Sequence, residues 1–173
     1  MNKDATQNVI RQVVADVGGA FAAGLGYIGD RLGLFRALAA SGPCSSRALA
    51  RTIDLDERYV REWLKAMVSA NYVEYDAQEQ EYSMTPGQVA VLVQEDSPVF
   101  AAGAFQFALP SLLLTPRLIE RFEDGGGISY SELDPEISEA IDRMHRPWFE
   151  HRLTTGWLPA VPRIHERLLS GTT

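Results

Sequence analysis

Apolar residues recur at three- and four-residue spacing through most of the first 40 positions, the period of an amphipathic helix. The first such stripe contains Ile10, Val13, Val14, Val17 and Phe21. Six glycines interrupt this segment between residues 18 and 33, and each interior glycine costs a helix up to about 1 kcal/mol relative to alanine. The glycines therefore predict either a break near residues 24–26 or close contact between helices.

The stretch GDRLGLFRALAAS predicts one amphipathic helix, ended by Ser-Gly-Pro at residues 41–43. Its inward-facing positions are expected to be Leu32, Phe35, Leu38 and Ala39. A short helix follows, capped by Ser45 or Ser46. Asp54 or Asp56 then caps a helix that ends near Asn71, a residue suited to the left-handed conformation.

The hydrophobic period changes to two at residues 73–75 and 82–84, on either side of a polar turn. This alternation predicts a β-hairpin, and Pro86 then opens a helix that runs to about Val93. Helices followed by a hairpin, with two of the helices joined by a tight turn, make a winged helix-turn-helix.

The remaining sequence predicts helices alone. Residues 97–122 are expected to form helices broken at Pro110 and Pro116, and a glycine-rich loop follows at 123–131. Further helices are predicted at 135–153 and 158–169. The fold class is therefore mainly α: residues 1–95 form N-terminal helices plus a winged helix, and residues 96–173 form a helical cap or linker.

Charge and composition exclude several functional classes. The 173-residue chain has a net charge of −7, which disfavours nucleic acid and anionic membranes as partners. The apolar run at 99–114 is short for a membrane span and contains Gln106 and Pro110. A single cysteine, Cys44, and no signal-peptide pattern at the N-terminus indicate a cytoplasmic protein without a membrane partner.

The charges on the predicted recognition helix and wing indicate whether the winged helix binds DNA. Acidic residues in the helix slightly outnumber basic ones, and the wing carries Glu74, Asp76, Glu79 and Glu81 with no lysine or arginine. Phosphate contacts require basic side chains at these places. The pattern favours a packing scaffold over a DNA-binding module.

Catalytic and metal-binding motifs are not evident in this sequence. The Gly125–Gly127 run follows a helix instead of a buried strand, so it lacks the context of a nucleotide-binding loop. His145 and His151 are six residues apart and lie on different helix faces. Aromatic and polar residues concentrate in MHRPWFEHRLTTGW, which is typical of either a small-molecule pocket or a core. The candidate pocket residues are Phe105, Phe107, His145, Trp148 and Phe149.

Several motifs, taken in order, resemble a known family. The segments DRLGLFRALA, SSRALARTIDLDERYVREWLKAMVSANYVEYD, EYSMTPGQVAVLV, GISYSEL, MHRPWFEHRL and GWLPAVPRIHERL resemble the N-terminal winged-helix region of class I S-adenosylmethionine-dependent methyltransferases. In that family this region builds a dimer and covers the substrate side of the active site. A Rossmann-like domain that follows binds S-adenosylmethionine. Its first strand and Gly-x-Gly loop have no counterpart here, so the resemblance assigns no catalytic or cofactor-binding residue to this chain.

The resemblance implies a dimerisation and substrate-recognition region of a methyltransferase, inactive without the catalytic domain. A homodimer is expected through residues 9–33, with a small-molecule acceptor and S-adenosylmethionine bound in the longer enzyme. The segment 157–173 is expected to lead into a strand, an acidic residue and a Gly-x-Gly turn. The alternatives are a winged-helix transcriptional regulator with a helical ligand-binding or dimerisation half, and a free-standing interaction module.

Overall fold

The first helix, α1 (Lys3–Arg31), is continuous through its glycines. The computed structural model describes residues 3–171. A Cβ atom on Gly26 would lie 2.8 Å from the ring of Phe105, and one on Gly29 would overlap the ring of Trp63. Of the two expectations for this glycine-rich segment, close helix contact is therefore confirmed and the break near residues 24–26 is wrong.

The predicted single helix over GDRLGLFRALAAS is divided in the structure. Helix α1 ends at Arg31, Gly33 takes the left-handed conformation with φ 70°, and α2 (Leu34–Ser41) begins immediately afterwards. The change of direction leaves Leu32 exposed, contrary to the prediction, and buries Leu34 instead. A left-handed glycine costs little here because it has no Cβ to clash with the following carbonyl.

The winged helix-turn-helix is confirmed. Its helix pair is α3 (Ser46–Thr52), capped by Ser45, and α4 (Glu57–Ser69), capped by Asp56. The wing is an antiparallel hairpin of β1 (Glu74–Asp76) and β2 (Glu81–Ser83), with Tyr75 opposite Tyr82. Helix α5 (Pro86–Leu92) follows a capping box formed by Thr85 and Gln88.

The second half is helical, with two of its boundaries displaced from the prediction. Its elements are α6 (Gly103–Leu113), α7 (Thr115–Asp124), a 3₁₀ turn (Tyr130–Glu132), α8 (Pro135–Arg152), a π-helical segment (Leu153–Trp157) and α9 (Pro162–Leu169). Pro110 lies inside α6 and does not break it. Proline has no backbone N–H, so this turn of α6 lacks one helical hydrogen bond. The Ser111 hydroxyl donates to the Phe107 carbonyl over 2.6 Å and adds a hydrogen bond in the same turn. The last helix begins at Pro162 because the π-helical segment and a turn occupy the preceding residues.

One hydrophobic core unites the winged helix with the start of the second half. Its fully buried centre includes Phe35, Leu38, Leu49, Leu64 and Met67. Phe100, Ala102 and Phe105, which lie beyond residue 95, belong to the same core. The division of the chain at residue 95 stays a prediction, and the packing here is continuous across it.

Candidate functional site

Phe105 of the predicted pocket lies in the core. It is 9% exposed, its ring stacks on Phe35 with centroids 6.4 Å apart, and Tyr72 meets it edge-on at 5.4 Å. Gly26 of α1 closes the remaining side. These contacts bury the ring among core side chains, and a ligand role for Phe105 stays a prediction.

Three of the predicted pocket residues lie near the end of α8 and are accessible. Trp148 and Phe149 are 43% and 52% exposed. The ring of His145 meets Trp148 edge-on at 5.4 Å, and Phe149 meets Trp157 of the π-helical segment at the same separation. The His145 Nδ1 lies 2.7 Å from the Ile141 carbonyl oxygen. We call His145, Trp148, Phe149 and Trp157 the aromatic patch.

Phe107 is half-buried on α6, towards the opposite end of α8. Gly103, at the start of α6, faces Ala140 and Met144, whereas Arg117, beyond the end of α6, bonds Glu132 ahead of α8. The two helices therefore run antiparallel. Within residues 3–171 no ring contact joins Phe107 or Phe105 to the aromatic patch.

An ion-pair network that the sequence did not reveal holds these helices together. Arg143 of α8 donates from Nη1 and Nη2 to the two carboxylate oxygens of Asp30 over 2.6 and 2.9 Å. It also donates to Glu95 over 2.8 Å and to the Gln106 side chain over 3.2 Å. The hydrogen bonds that Arg143 donates to the carboxylates, first to Asp30 and then to Glu95, raise the pKa of Arg143 above its usual value. The Phe100 ring lies beneath the guanidinium, 5.2 Å away.

A polar cleft of about 320 Å³ opens beside this network. Its charged lining consists of Asp30, Arg31, Arg36, Glu95, Glu139, Asp142, Arg143 and Arg146. Four arginines face four carboxylates, and Arg146 is paired with Asp142 as Arg143 is with Asp30. Equal numbers of positive and negative groups leave no excess charge to attract an ion. The hydrogen bonds of Arg143 to Asp30 and Gln106 instead join α8 to α1 and α6, and we call this network the clamp.

Most of α1 is uncovered, and its apolar side faces outward. We call this surface the α1 stripe; it comprises Val9, Ile10, Val13, Val14, Val17, Phe21 and Ile28, all of them large and exposed. By length and composition the helix is also long enough to cross a membrane, which for one helix near the N-terminus is weak evidence of a membrane span. The winged-helix fold that α1 joins is that of a soluble domain.

An apolar pocket of about 240 Å³ adjoins the C-terminal end of the α1 stripe. Its walls come from α1, α2 and α4: Ile28, Leu32, Leu34, Leu55, Asp56, Tyr59, Val60 and Trp63. Trp63 is fixed by a hydrogen bond from its indole nitrogen to the Leu25 carbonyl, 2.9 Å long. This pocket was not anticipated from the sequence because its walls are separated along the chain.

The face that would read DNA is neutralised by its own side chains. On α4, Arg61 pairs with Glu57 at 3.0 Å, and Lys65 pairs with Glu62 at 3.2 Å. In the wing, Glu74 accepts from Gln88 and Asp76 accepts from the backbone of the turn. Basic groups held by carboxylates do not release counterions from DNA, which supports the scaffold interpretation.

The described residues do not fit a binding site for S-adenosylmethionine. Across residues 3–171 the one sheet is the two-stranded wing, whereas a Rossmann-like donor site needs a parallel sheet and a glycine loop that enters a helix. Gly125 and Gly126, with φ 76° and 78°, instead terminate α7. The same residues contain no group of histidine, cysteine or carboxylate side chains placed to hold a metal ion.

Comparison with known proteins identifies the winged helix. Residues 20–94 match the family model of the Rv2258c-like winged HTH domain. No curated protein matches the chain in sequence.

Solved structures share the fold beyond that domain. The mitomycin 7-O-methyltransferase MmcR aligns with a TM-score of 0.61 and 19% identity over 84% of this chain. The riboflavin-derivative dimethyltransferase RosA from Streptomyces davawensis gives 0.59 and 22% over 83%. Human N-acetylserotonin methyltransferase gives 0.59 and 18% over 86%.

The chain spans less than half the length of these methyltransferases, at 46%, 44% and 46% respectively. The part it matches is their N-terminal region. The resemblance noted from the sequence motifs is thereby confirmed at the level of the fold.

Proposed function

We propose that this chain supplies the dimerisation and substrate-recognition region of an S-adenosylmethionine-dependent methyltransferase. The observation that carries the proposal is the fold match: 83–86% of the chain follows the N-terminal region of three such enzymes. The exposed apolar sides of α7 and α9 support it, because helices with side chains such as Phe122 and Leu169 uncovered are typical of surfaces that pack on another domain.

The dimerisation role rests on the α1 stripe. Seven large apolar side chains stand on one helix and are not covered by the rest of the described chain. Contiguous apolar surface of this kind marks protein–protein contacts in soluble proteins. We expect light scattering to give a homodimer at tens of micromolar, and a monomer at that concentration would contradict this part of the proposal.

The substrate-recognition role rests on the aromatic patch. Accessible rings beside a half-buried histidine offer both an apolar surface and a polar group for orienting a ligand. The related enzymes are named for mitomycin and N-acetylserotonin as acceptors, which supports an apolar or aromatic small molecule as the acceptor here. S-adenosylmethionine would be held by the longer enzyme's catalytic domain, and this chain alone is expected not to bind it in calorimetry.

The coding sequence beyond the Thr173 codon tests the proposal directly. It is expected to continue with an apolar strand, an aspartate or glutamate and a Gly-x-Gly turn into a helix. A stop codon there, with no such frame beyond it, would contradict the proposal and favour the regulator or a free-standing interaction module. A cytoplasmic location stays a prediction.

In the enzyme encoded by that frame, the Trp148→Ala and Phe149→Ala variants test the acceptor site, because both rings belong to the aromatic patch. Each is expected to raise the Michaelis constant for the acceptor about tenfold, with the affinity for S-adenosylmethionine unchanged. Tyr75→Ala is the matched control, because the Tyr75 ring is 43% exposed, as Trp148 is, but lies in the wing, outside the aromatic patch. Wild-type constants in both test variants would assign these rings to packing.

A further inference from the structure

Three features follow one another along the α1 stripe: the exposed ring of Phe21, a glycine without a side chain at residue 24, and the apolar pocket beside Ile28. Phe21 is 72% exposed. Gly24 follows, and a Cβ atom there would have no neighbour within 4 Å. Ile28 then forms the near wall of the apolar pocket, with Tyr59 and Trp63 of α4 behind it. The rise of about 1.5 Å per residue sets Phe21 roughly 4.5 Å before Gly24 and Ile28 roughly 6 Å after it.

We propose that two copies of the chain pair through antiparallel α1 helices that cross at Gly24, with Phe21 of each copy filling the apolar pocket of the other. A two-fold contact requires a projection and its receptor on the same surface, at similar distances from the axis on opposite sides. Phe21 and the pocket meet that requirement. The proposal rests on the dimeric role proposed above and adds the direction, the register and the side-chain contacts of the paired α1 helices.

The charged residues along the stripe fit the same arrangement. At about 100° per residue, Asp16 and Arg31 lie along one edge of the stripe, and Phe21 and Leu32 lie towards the other. A two-fold axis perpendicular to the helix brings like edges together. Asp16 precedes Gly24 by eight residues and Arg31 follows it by seven, so each Asp16 comes level with Arg31 of the other copy.

Arg31 makes weak contacts within its own chain, among them one with the Tyr27 ring 6.0 Å away, and can exchange them for this one. Its side chain is 60% exposed, and its ion pair within the chain is a loose one with Glu136 at 3.7 Å. The Asp16 carboxylate accepts a hydrogen bond from Gln12 over 2.7 Å and is otherwise exposed. The pairing therefore produces two symmetric ion pairs at the rim, which specify the antiparallel register more than they add affinity.

A second copy fits this surface better than a lipid bilayer does. Asp16 stands near the midpoint of α1 (Lys3–Arg31), so a membrane-spanning helix would carry that carboxylate at bilayer depth, where an ionised group is costly. In the dimer the same carboxylate lies at a wet rim opposite an arginine. The glycine at the crossing also suits a close helix–helix approach, which a bilayer does not require.

The test measures dimer dissociation by analytical ultracentrifugation on the full chain. Phe21→Ala is expected to weaken dimerisation about a hundredfold, because two rings are lost per dimer. Phe122→Ala, which removes a still more exposed ring from α7, is expected to leave it unchanged. Asp16→Arg and Arg31→Asp are each expected to weaken it roughly tenfold, and the double variant to restore it. Glu79→Arg in the wing is the charge control.

Disulfide trapping determines independently which residues of the two α1 helices lie opposite each other. In a Cys44→Ser background, Gly24→Cys should oxidise to a covalent dimer because the two cysteines meet at the axis, while Gly18→Cys should not. A stable dimer that ignores the Phe21 and charge variants and does not cross-link through residue 24 would overturn this interface while leaving the dimeric role intact. A monomer, or co-sedimentation with phosphatidylcholine vesicles that Phe21→Ala abolishes, would overturn the interface as well.

Discussion

The guanidinium of Arg143 and the carboxylate of Asp30 form a two-pronged ion pair that ties α8 to α1, with nitrogen–oxygen distances of 2.6 and 2.9 Å. Both side chains are largely buried, and 113 residues separate them along the chain. The pair is therefore a largely buried polar link between the winged helix and the helix that carries the aromatic patch, in addition to the hydrogen bond from Tyr27 to Glu136.

Loss of one member of this pair is expected to destabilise the fold. Arg143→Met leaves the Asp30 carboxylate buried without its partner, which costs about 3 kcal/mol in the free energy of unfolding. Urea unfolding monitored by circular dichroism measures this loss of stability. The double variant Asp30→Leu with Arg143→Met should recover most of that loss, because no buried charge stays unpaired; Glu95, which also loses Arg143, is half exposed. Equal stability of wild type and Arg143→Met would show that the clamp is dispensable.

Gly29→Ala is expected to lower the free energy of unfolding by about 1–3 kcal/mol, because the added methyl group overlaps the rings of Trp63 and Phe35. Gly19→Ala is the matched control in the same helix. A Cβ atom there meets nothing within 4 Å, so helix propensity alone should raise stability by about 0.5–1 kcal/mol. Opposite signs for the two variants in thermal unfolding are the expected result; a shared sign would contradict the packing of α1 on α4.

Stability is expected to fall at alkaline pH through two tyrosines. Burial, and for Tyr27 also the hydrogen bond to Glu136, raises the pKa of Tyr27 and of Tyr82 above 10.0. A raised pKa in the folded state means that the unfolded chain releases its phenolic proton first. The contribution of these two tyrosines to the free energy of unfolding is then constant below about pH 10 and decreases above it. Burial also raises the pKa of the Cys44 thiol, so a smaller decrease begins about one pH unit earlier, and Cys44→Ser removes it.

Urea titrations from pH 8 to pH 11 measure this decrease. The Tyr27→Phe variant should have a shallower slope above pH 10 than the wild type, since one of the two linked protons is removed. Tyr59→Phe is the control, because Tyr59 is largely exposed. An unchanged slope in Tyr27→Phe would refute the linkage.

We expect no sequence-specific DNA binding. The basic residues Arg61 and Lys65 of α4 are already paired with carboxylates, and the wing is acidic. Selection from a random-site pool at low salt, followed by anisotropy titration, checks this. A variant with Glu74, Glu79 and Glu81 replaced by lysine should gain weak, salt-sensitive binding of any sequence. Submicromolar enrichment of one site by the wild type would instead support the transcriptional regulator.

The locally encoded parts of this fold could be predicted from the sequence. The stripe of α4 at Val60, Trp63, Leu64 and Met67, its cap at Asp56 and its end at Asn71 are all as expected. The hairpin also followed from its alternating pattern. These features depend on spacing and on capping groups within a few residues, so the information lies in the segment itself.

Boundaries where two signals compete were less predictable. Leu32 fits the helical period of its neighbours, but Gly33 reverses the chain and leaves it exposed. Pro110 is a strong helix breaker, yet burial and a compensating hydroxyl bond keep it within α6. In both places the tertiary packing decided which local preference prevailed.

What the sequence by itself determined is a mainly helical, acidic protein with a winged helix and an apolar stripe on its first helix. The tertiary structure decided what each aromatic and charged side chain does: Phe105 enters the core, Trp148 stays accessible, and Asp30 meets Arg143. The physical reason is distance along the chain. Burial and ion pairing depend on which remote segments meet, and a period of three or four residues carries no information about that.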